Sequence, residues 1–363
     1  MSNVVVLPIR RRTMDPSDRI AALATCFATG RRRQEDVFWL KENAELLNVL
    51  ETTRLPERGA AISAYEPFYA SLIDRFTFFP QYYRFLLSIC LDLEDLGLDG
   101  GVGARLAARA AADDLPGAEL SDLQRAEARR LFERRDVTLV QVDPGLDDRL
   151  RAFAARTPTF ALPNKKAAYE LTHIVFYLSE YGRRDPRLPQ EALTSLHYAG
   201  LLAWIDGNAD LLAEVSVALR FANAGVPAIW ETWLEQQRHG AHVRADDGHA
   251  APRDDYHAWM MLSWHAALSG RPSFPGVPDA GRLTFHSAPQ TGSILRELSQ
   301  VLYQMDGRDR GVSEGMRRSL REKLAPASWE WLCAAEAATP AFGAFFETFV
   351  RAEHMPARLL RRI

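Results

Sequence analysis

The side chains most able to do chemistry in this sequence are three ionisable groups set in strongly apolar segments. The segments are residues 171–178, 211–219 and 258–268. A helix that is apolar on every face is typically buried on all sides. His173, Glu214 and His257 lie within or next to these segments. Burying a neutral polar group without a partner costs roughly 2–7 kcal/mol, and a charge costs more. We therefore expect these groups to be paired, hydrated or bound to a ligand.

Their spacing and types are compatible with a metal site. Two histidines and a carboxylate from separate helices could bind a divalent transition metal, zinc or iron, and three protein ligands would leave a position open for water or substrate. The sequence assigns no catalytic residue. The side chains that could support the site are Tyr169 and Tyr177, four residues before and after His173; Asp210, four residues before Glu214; and His265, in the segment of His257. Residues four apart share a helical face.

A purely structural interpretation of the same residues stays open. A buried histidine commonly hydrogen-bonds a carbonyl or carboxylate without any further role. Asp210 comes just after Asn208, where an acidic residue complements the dipole of a helix beginning there. Glu214 could pair with Arg220 or with an arginine of another helix.

A second histidine-rich stretch covers residues 239–257. It holds four of the nine histidines and four aspartates, which favours a metal-binding or pH-sensitive loop. The alternative is a solvated loop in which Asp254 or Asp255 caps the next helix. His257 belongs to both interpretations.

Two other patterns invite weaker hypotheses. Asp92, Glu94 and Asp95 lie near a helix end, where the dipole disfavours acids, which favours a counter-ion or a metal there. A solvated turn is the alternative. The GGVG stretch at 100–103 is similar to a phosphate-binding loop, but no buried strand precedes it.

The recurrence of helical periodicity predicts an all-α fold. About a dozen or more helices are expected, with at most two or three short strands. Short connections between helices near 163–181, 190–205, 209–224 and 226–239 indicate αα-hairpins. We expect an irregular α/α barrel or a layered multi-helix bundle. The Gly-, Pro- and Asp-rich stretches 240–253 and 270–289 are predicted to be surface loops.

A change from helical periodicity to an extended, proline-containing stretch near 136–163 suggests how the chain is divided into domains. We expect an irregular N-terminal tail (1–13), an N-terminal helical bundle (14–135), a seam (136–160) and a C-terminal α/α domain (161–355). One continuous domain is the alternative. Within the first bundle, residues 34–53 are expected to form a comparatively exposed helix.

Composition limits the cellular context and the partners. The 363 residues carry a net charge of −3, so there is no excess of basic residues that would bind nucleic acid or an anionic membrane. Three widely spaced cysteines indicate no disulfide framework or CxxC site. No signal peptide and no membrane span is apparent. We expect a cytoplasmic protein with a small-molecule or protein partner and an oligomeric state that the sequence leaves open.

The runs ELTHIVFYLSEYG, DLLAEVSVALRF and DDYHAWMML resemble a pattern in uncharacterised bacterial all-helical families. The resemblance covers roughly the second half of the chain and implies no particular activity. Two functions follow from the residues. One is an enzyme with a polar, metal-binding site inside the C-terminal helices. The other is a non-catalytic scaffold or binding protein that uses its aromatic surface.

Overall fold

The computed structural model describes residues 15–53, 60–139, 143–246, 254–274, 277, 281–288, 293–305 and 314–350. Within these ranges the chain forms 18 α-helices and one two-stranded sheet, so the predicted all-α class is confirmed. The arrangement as a barrel or a layered bundle stays a prediction, and the expected tail 1–13 lies outside the described residues.

The helices of the first half vary in length from four to sixteen residues. They are α1 (Pro16–Thr25), α2 (Val37–Thr52), α3 (Glu66–Ala70), α4 (Leu72–Phe78), α5 (Tyr83–Asp95), α6 (Val102–Ala112), α7 (Asp122–Glu133), α8 (Leu146–Ala154) and α9 (Thr157–Phe160). A π-helical turn at Cys26–Gly30 follows α1, and 3₁₀ turns occupy Ala60–Tyr65, Pro80–Tyr82 and Leu115–Ala118.

The helices of the second half have nine to sixteen residues. They are α10 (Lys165–Leu178), α11 (Gln190–Ile205), α12 (Ala209–Phe221), α13 (Ala228–Gly240), α14 (Tyr256–Leu268), α15 (Leu295–Gln304), α16 (Glu314–Lys323), α17 (Pro326–Ala338) and α18 (Phe342–Val350). Among the described residues, no helix has the length and apolar character needed to cross a membrane.

Helix α12 is the central helix of this half. Every residue from 211 to 219 is buried, and α12 packs against α10, α11, α13 and α14. Its start is fixed locally: Gly207 adopts a left-handed φ of 63° that ends α11, and the Asn208 side chain accepts a hydrogen bond from the Leu211 amide at 3.1 Å. The turn between the two helices therefore sets the position of Asp210.

Helix α2 is a core element, so the expectation of an exposed helix is wrong. Trp39 and Leu46 are fully buried, and the helix packs against α5 and α14. Its charged residues suggested exposure, but Glu42 is buried because two arginines pair with it, Arg31 at 2.9 Å and Arg32 at 2.6 Å. Paired charges can enter a core that an unpaired charge cannot.

The sheet consists of β1 (His242–Asp246) and β2 (Arg282–His286), paired antiparallel with His242 opposite His286, and α14 lies between the two strands in the sequence. Part of both predicted surface loops is therefore strand, which corrects that expectation. The physical reason lies in β2, where Leu283 and Phe285 alternate with more exposed residues and pack into the core. Residues 247–253 of the histidine-rich stretch lie outside the described residues.

A buried guanidinium joins this sheet to the N-terminal helices. The Arg31 side chain is fully shielded from solvent and donates to both oxygens of Asp254 at 2.8 and 2.9 Å. It also donates to the Leu283 carbonyl at 2.8 Å and to Glu42 at 2.9 Å. Asp254 in turn accepts from the Phe285 amide. Since every group in this network has a partner, its burial is compensated.

The buried apolar residues of both halves form one hydrophobic cluster. Helix α8, which lies in the predicted seam, packs against α7 on one side and against α10 and α11 on the other. The division into two domains at 136–160 stays a prediction, as does the single continuous domain.

Candidate metal centre

Asp210 and Glu214 lie one turn apart on α12 and face the neighbouring helices α10 and α14. Asp210 Oδ2 accepts a hydrogen bond from the Tyr169 hydroxyl at 2.7 Å, and Asp210 Oδ1 lies 2.7 Å from His257 Nδ1. Burial on its own would raise the pKa of Asp210, but the hydrogen bond and charge of His257 and the Tyr169 hydrogen bond outweigh it, so the pKa is lowered. Asp210 is therefore an ionised carboxylate with both oxygens engaged.

Glu214 is the most deeply buried carboxylate of this group, with 2% of its side chain exposed. Its Oε2 accepts from the Thr172 hydroxyl at 2.7 Å. Its Oε1 lies 3.8 Å from His257 Nε2, too far for a hydrogen bond. Burial raises the pKa of Glu214. Among the described residues its ion pairs are with histidines, and Arg220 pairs with Glu231 instead. The suggested Glu214–Arg220 pair is therefore wrong.

His257, at the start of α14, contacts carboxylates through both ring nitrogens. Nδ1 donates to Asp210, and Nε2 faces Glu214 Oε1 at 3.8 Å and Glu45 Oε1 at 4.0 Å. Burial would lower the pKa of His257, but the Asp210 hydrogen bond and the surrounding negative charges raise it to about 9. Without a bound cation, the ring is protonated at neutral pH.

Glu45 of α2 belongs to this group although the sequence analysis did not select it. Its Oε2 accepts from the Tyr256 hydroxyl at 2.8 Å, and its Oε1 lies 3.6 Å from Lys41 Nζ on the same helix. The sequence did not point to Glu45, because α2 was expected to be exposed and to belong to a different domain from His257. The packing of α2 against α14, which no local pattern encodes, brings it to His257.

His173 borders the cluster and is less buried than expected, with 38% of its side chain exposed. Its Nδ1 lies 2.7 Å from the Tyr169 carbonyl and 4.0 Å from Glu214 Oε2. A carbonyl only accepts, so Nδ1 carries the proton and Nε2 holds the lone pair in the neutral ring. The segment 171–178 was expected to be buried on every face, but the face of His173 opens toward solvent.

Two of the predicted supporting residues lie away from this group. Tyr177 is buried beside His173, with ring centroids 5.9 Å apart, and has no contact with the carboxylates of α12. His265 lies further along α14, where its Nε2 is 3.6 Å from Glu231 Oε1. Because α14 carries the two histidines two turns apart, only His257 reaches the site.

The arrangement can hold a cation. One ligand-type atom each from Asp210, Glu214 and His257 lies within 4.8 Å of the other two. Within the described residues, it is the one group of three or more His, Cys, Asp or Glu side chains whose ligand-type atoms lie this close together. Compared with the predicted set, Asp210 takes the place of His173 in this closest group, and His173 borders it.

The site is reached from solvent through its own partly exposed side chains. His257 and Glu45 are 29% and 25% exposed. A cavity of about 980 Å³ lies elsewhere, between α7 and residues 136–139 and 143–147, where Arg125 and Asp143 line it. Another of about 740 Å³ is lined by Trp204 and other residues of α11, α13 and α17.

The acidic residues at the end of α5 have arginine counter-ions. Asp92 lies 2.8 Å from Arg134, and Glu94 lies 2.9 Å from Arg135. Glu94 also accepts from the Gly103 amide at 2.7 Å, so the protein's own carboxylate occupies the amide that a phosphate at the GGVG stretch would need. The expected counter-ions of the acidic residues are therefore these arginines, and the phosphate-loop hypothesis gains no support from the structure.

Comparison with known proteins gives one match. The family model described as a domain of unknown function (DUF6902) matches residues 1–352. No curated protein and no solved structure matches the chain. The predicted resemblance to an uncharacterised family is confirmed, and the bacterial origin of that family stays a prediction.

Proposed function

The chain belongs to the DUF6902 family over nearly its whole length, and from its site we propose that it is a metal-dependent enzyme. The side chains around Asp210, Glu214 and His257 bind a divalent transition metal. The observation that carries the proposal is the approach of three ligand-type atoms to within 4.8 Å of one another.

The charges of the site support a cation. Asp210, Glu214 and Glu45 bring three carboxylates to one imidazole, and the nearest lysine, Lys41, has half of its side chain in solvent. Glu214 is buried without an arginine or lysine partner among the described residues. In the metal-free protein the protonated His257 ring offsets one of these negative charges, and a divalent ion that replaces one ring proton would offset two.

Ligand chemistry favours zinc or iron. Imidazole nitrogen and carboxylate oxygen together suit these ions better than they suit magnesium or calcium, which prefer oxygen alone. Asp210 supplies the carboxylate partner that orients metal-bound histidines in many proteins. When bound, the ion acts as a Lewis acid toward a water molecule or a substrate oxygen.

His173 is placed to move a proton at this site. Its Nδ1–H donates to the Tyr169 carbonyl, which leaves Nε2 as the basic nitrogen on a side chain that is 38% exposed. It lies at the solvent side of Glu214 and can reach a substrate that the buried carboxylates cannot. We assign it the role of general acid or base.

Metal analysis of protein purified without a metal-affinity tag tests the proposal. We expect a stoichiometric transition metal in the wild type and its loss in His257→Gln. His265→Gln is the matched control, since His265 lies on the same helix and contacts Glu231 instead. A wild type that neither retains nor takes up zinc, iron or manganese at micromolar concentration contradicts the proposal.

A scaffold or protein-binding role is the second candidate, because several large apolar side chains are exposed. Phe78 is 77% exposed, and its ring contacts that of Phe79. Further exposed apolar residues are Val37, Phe38 and Ile73. Exposed apolar residues can mark an interaction surface when they are contiguous. Phe38→Ser and Phe78→Ser together would weaken self-association or partner binding in this case and leave metal content unchanged.

A further inference from the structure

We propose that Glu45 of α2 is a ligand of the ion together with Glu214 and His257 Nε2, and that Asp210 is a positioning residue which does not bind the ion. This inference rests on the proposed metal-dependent function. It places the ligands on three helices, α2, α12 and α14, that come from distant parts of the chain.

Both carboxylate oxygens of Asp210 already accept hydrogen bonds. Its Oδ1 accepts from His257 Nδ1 and its Oδ2 accepts from the Tyr169 hydroxyl, both at 2.7 Å. An ion bound to either oxygen would compete with a short, charge-assisted hydrogen bond. The Nδ1 bond also orients the ring, so the nitrogen left to bind an ion is Nε2.

Nε2 faces two carboxylate oxygens at distances that suit a shared ion. Glu214 Oε1 lies 3.8 Å away and Glu45 Oε1 lies 4.0 Å away. Both distances exceed a hydrogen bond. Two ligand atoms bound at about 2.1 Å to one ion lie at most about 4.2 Å apart. The nitrogen and either oxygen can therefore bind the same ion with a small inward movement.

Each of these carboxylates has one oxygen fixed and the other directed at His257. The Thr172 hydroxyl holds Glu214 Oε2 at 2.7 Å, and the Tyr256 hydroxyl holds Glu45 Oε2 at 2.8 Å. Lys41, 3.6 Å from Glu45 Oε1, is half exposed, and such surface pairs contribute little. The hydroxyls therefore orient the two oxygens as second-layer partners orient metal ligands.

Glu45 is not part of the group whose atoms already lie within 4.8 Å of one another. Its side chain is a quarter exposed and has room to turn. Ion binding therefore draws Glu45 inward toward Glu214. Two glutamates and a divalent ion are together electrically neutral, which lowers the cost of their burial.

The test uses full-length wild type, Glu45→Gln, Asp210→Asn and Asp210→Ala, with Zn²⁺ affinity measured by chelator competition. Co²⁺ absorption reports the ligand set. We expect Glu45→Gln to lose at least about tenfold in Zn²⁺ affinity and to change the Co²⁺ bands. Lys41→Gln, one turn earlier on α2, is the matched control and should bind as the wild type does. Circular dichroism of each metal-free variant checks that it folds, and Glu45→Asp, which keeps the charge but shortens the reach, replaces Glu45→Gln if that variant does not.

Asp210 should behave differently. Asp210→Asn still accepts the Nδ1–H hydrogen bond, so it should retain more affinity than Asp210→Ala, which should lose about 10- to 100-fold. Both should keep the wild-type Co²⁺ bands. A Glu45→Gln protein with wild-type Zn²⁺ affinity, or altered bands in Asp210→Asn, overturns the assignment while the metal site stands. A wild type that binds neither ion overturns the proposed function itself.

Discussion

Asp210 of α12 and His257 of α14 share a 2.7 Å hydrogen bond between a carboxylate oxygen and Nδ1. The bond decides which ring nitrogen is free, and the free one faces Glu214 and Glu45. It is also a contact between two helices that are separated in the sequence by α13 and the strand β1. The chemistry of the site therefore depends on how α12 and α14 pack.

The Glu214→Gln variant distinguishes two interpretations of Glu214, as a metal ligand or as one partner of a structural ion pair. The glutamine oxygen can still accept from Thr172, but the buried charge is lost. We expect loss of metal binding with little loss, or a gain, in the free energy of unfolding of the metal-free protein, because burial already disfavours the charge. Metal content and urea unfolding in chelator measure the two effects. A loss of about 3–5 kcal/mol in a protein that never held metal would indicate a buried pair instead.

Tyr169→Phe should destabilise the protein and weaken metal binding, because Asp210 Oδ2 would lose its hydroxyl donor. A hydrogen bond to a charged group contributes about 1.5–3 kcal/mol. Tyr177→Phe is the control on the same helix, since the Tyr177 hydroxyl donates no hydrogen bond to the described residues and its removal should cost far less. Urea unfolding of both variants tests the difference, and equal costs would contradict the role assigned to Tyr169.

The stability of the metal-free protein should fall as the pH rises from about 6.5 to about 9. His257 has a folded-state pKa of about 9 against an ordinary value of 6.5, so the folded state binds its proton more tightly. The stabilisation is full below pH 6.5 and is lost as the pH passes the folded pKa, by up to about 3 kcal/mol. Urea unfolding in chelator measures it. His257→Gln should lack this component, and parallel pH profiles of the two proteins would refute it.

Two glycine substitutions test the packing of the helices. A Cβ on Gly200 of α11 would lie 2.2 Å from the Trp230 ring, whereas a Cβ on Gly343 of α18 would meet nothing within 4 Å. Gly200→Ala should destabilise by about 1–3 kcal/mol through overpacking. Gly343→Ala should stabilise by about 0.5–1 kcal/mol through helix propensity. Thermal unfolding of both tests the contrast, and a neutral Gly200→Ala would show that α11 and α13 pack less closely.

Part of this architecture could be predicted from the sequence, because burial leaves a local pattern. The uniformly apolar stretch of α12 correctly indicated a buried helix, and the ionisable residues in such stretches drew attention to Glu214 and His257. The same rule overestimated the burial of His173, whose exposure depends on which neighbours cover its face.

What could not be predicted depends on contacts between distant segments. Glu45 looks like an ordinary surface residue until α2 packs against α14. The strand β1 contains three charged or ionisable side chains in five residues, His242, Arg244 and Asp246, and becomes a strand because β2 pairs with it. Neither the position of Glu45 nor the formation of β1 can be recognised from neighbouring residues in the sequence, since each depends on a partner more than 30 residues away.

The buried Arg31 network has a consequence for the order in which parts of the chain fold during synthesis. Arg31 and Asp254 are 223 positions apart, and translation releases the N-terminal partner first. Until the ribosome has delivered Asp254 and Leu283, the guanidinium lacks most of its acceptors and stays hydrated, because burying it earlier would be too costly. Nascent chains that end before residue 254 should therefore remain loosely packed around the π-helical turn and be open to proteases and chaperones. Protection there would begin only once β2 has been synthesised.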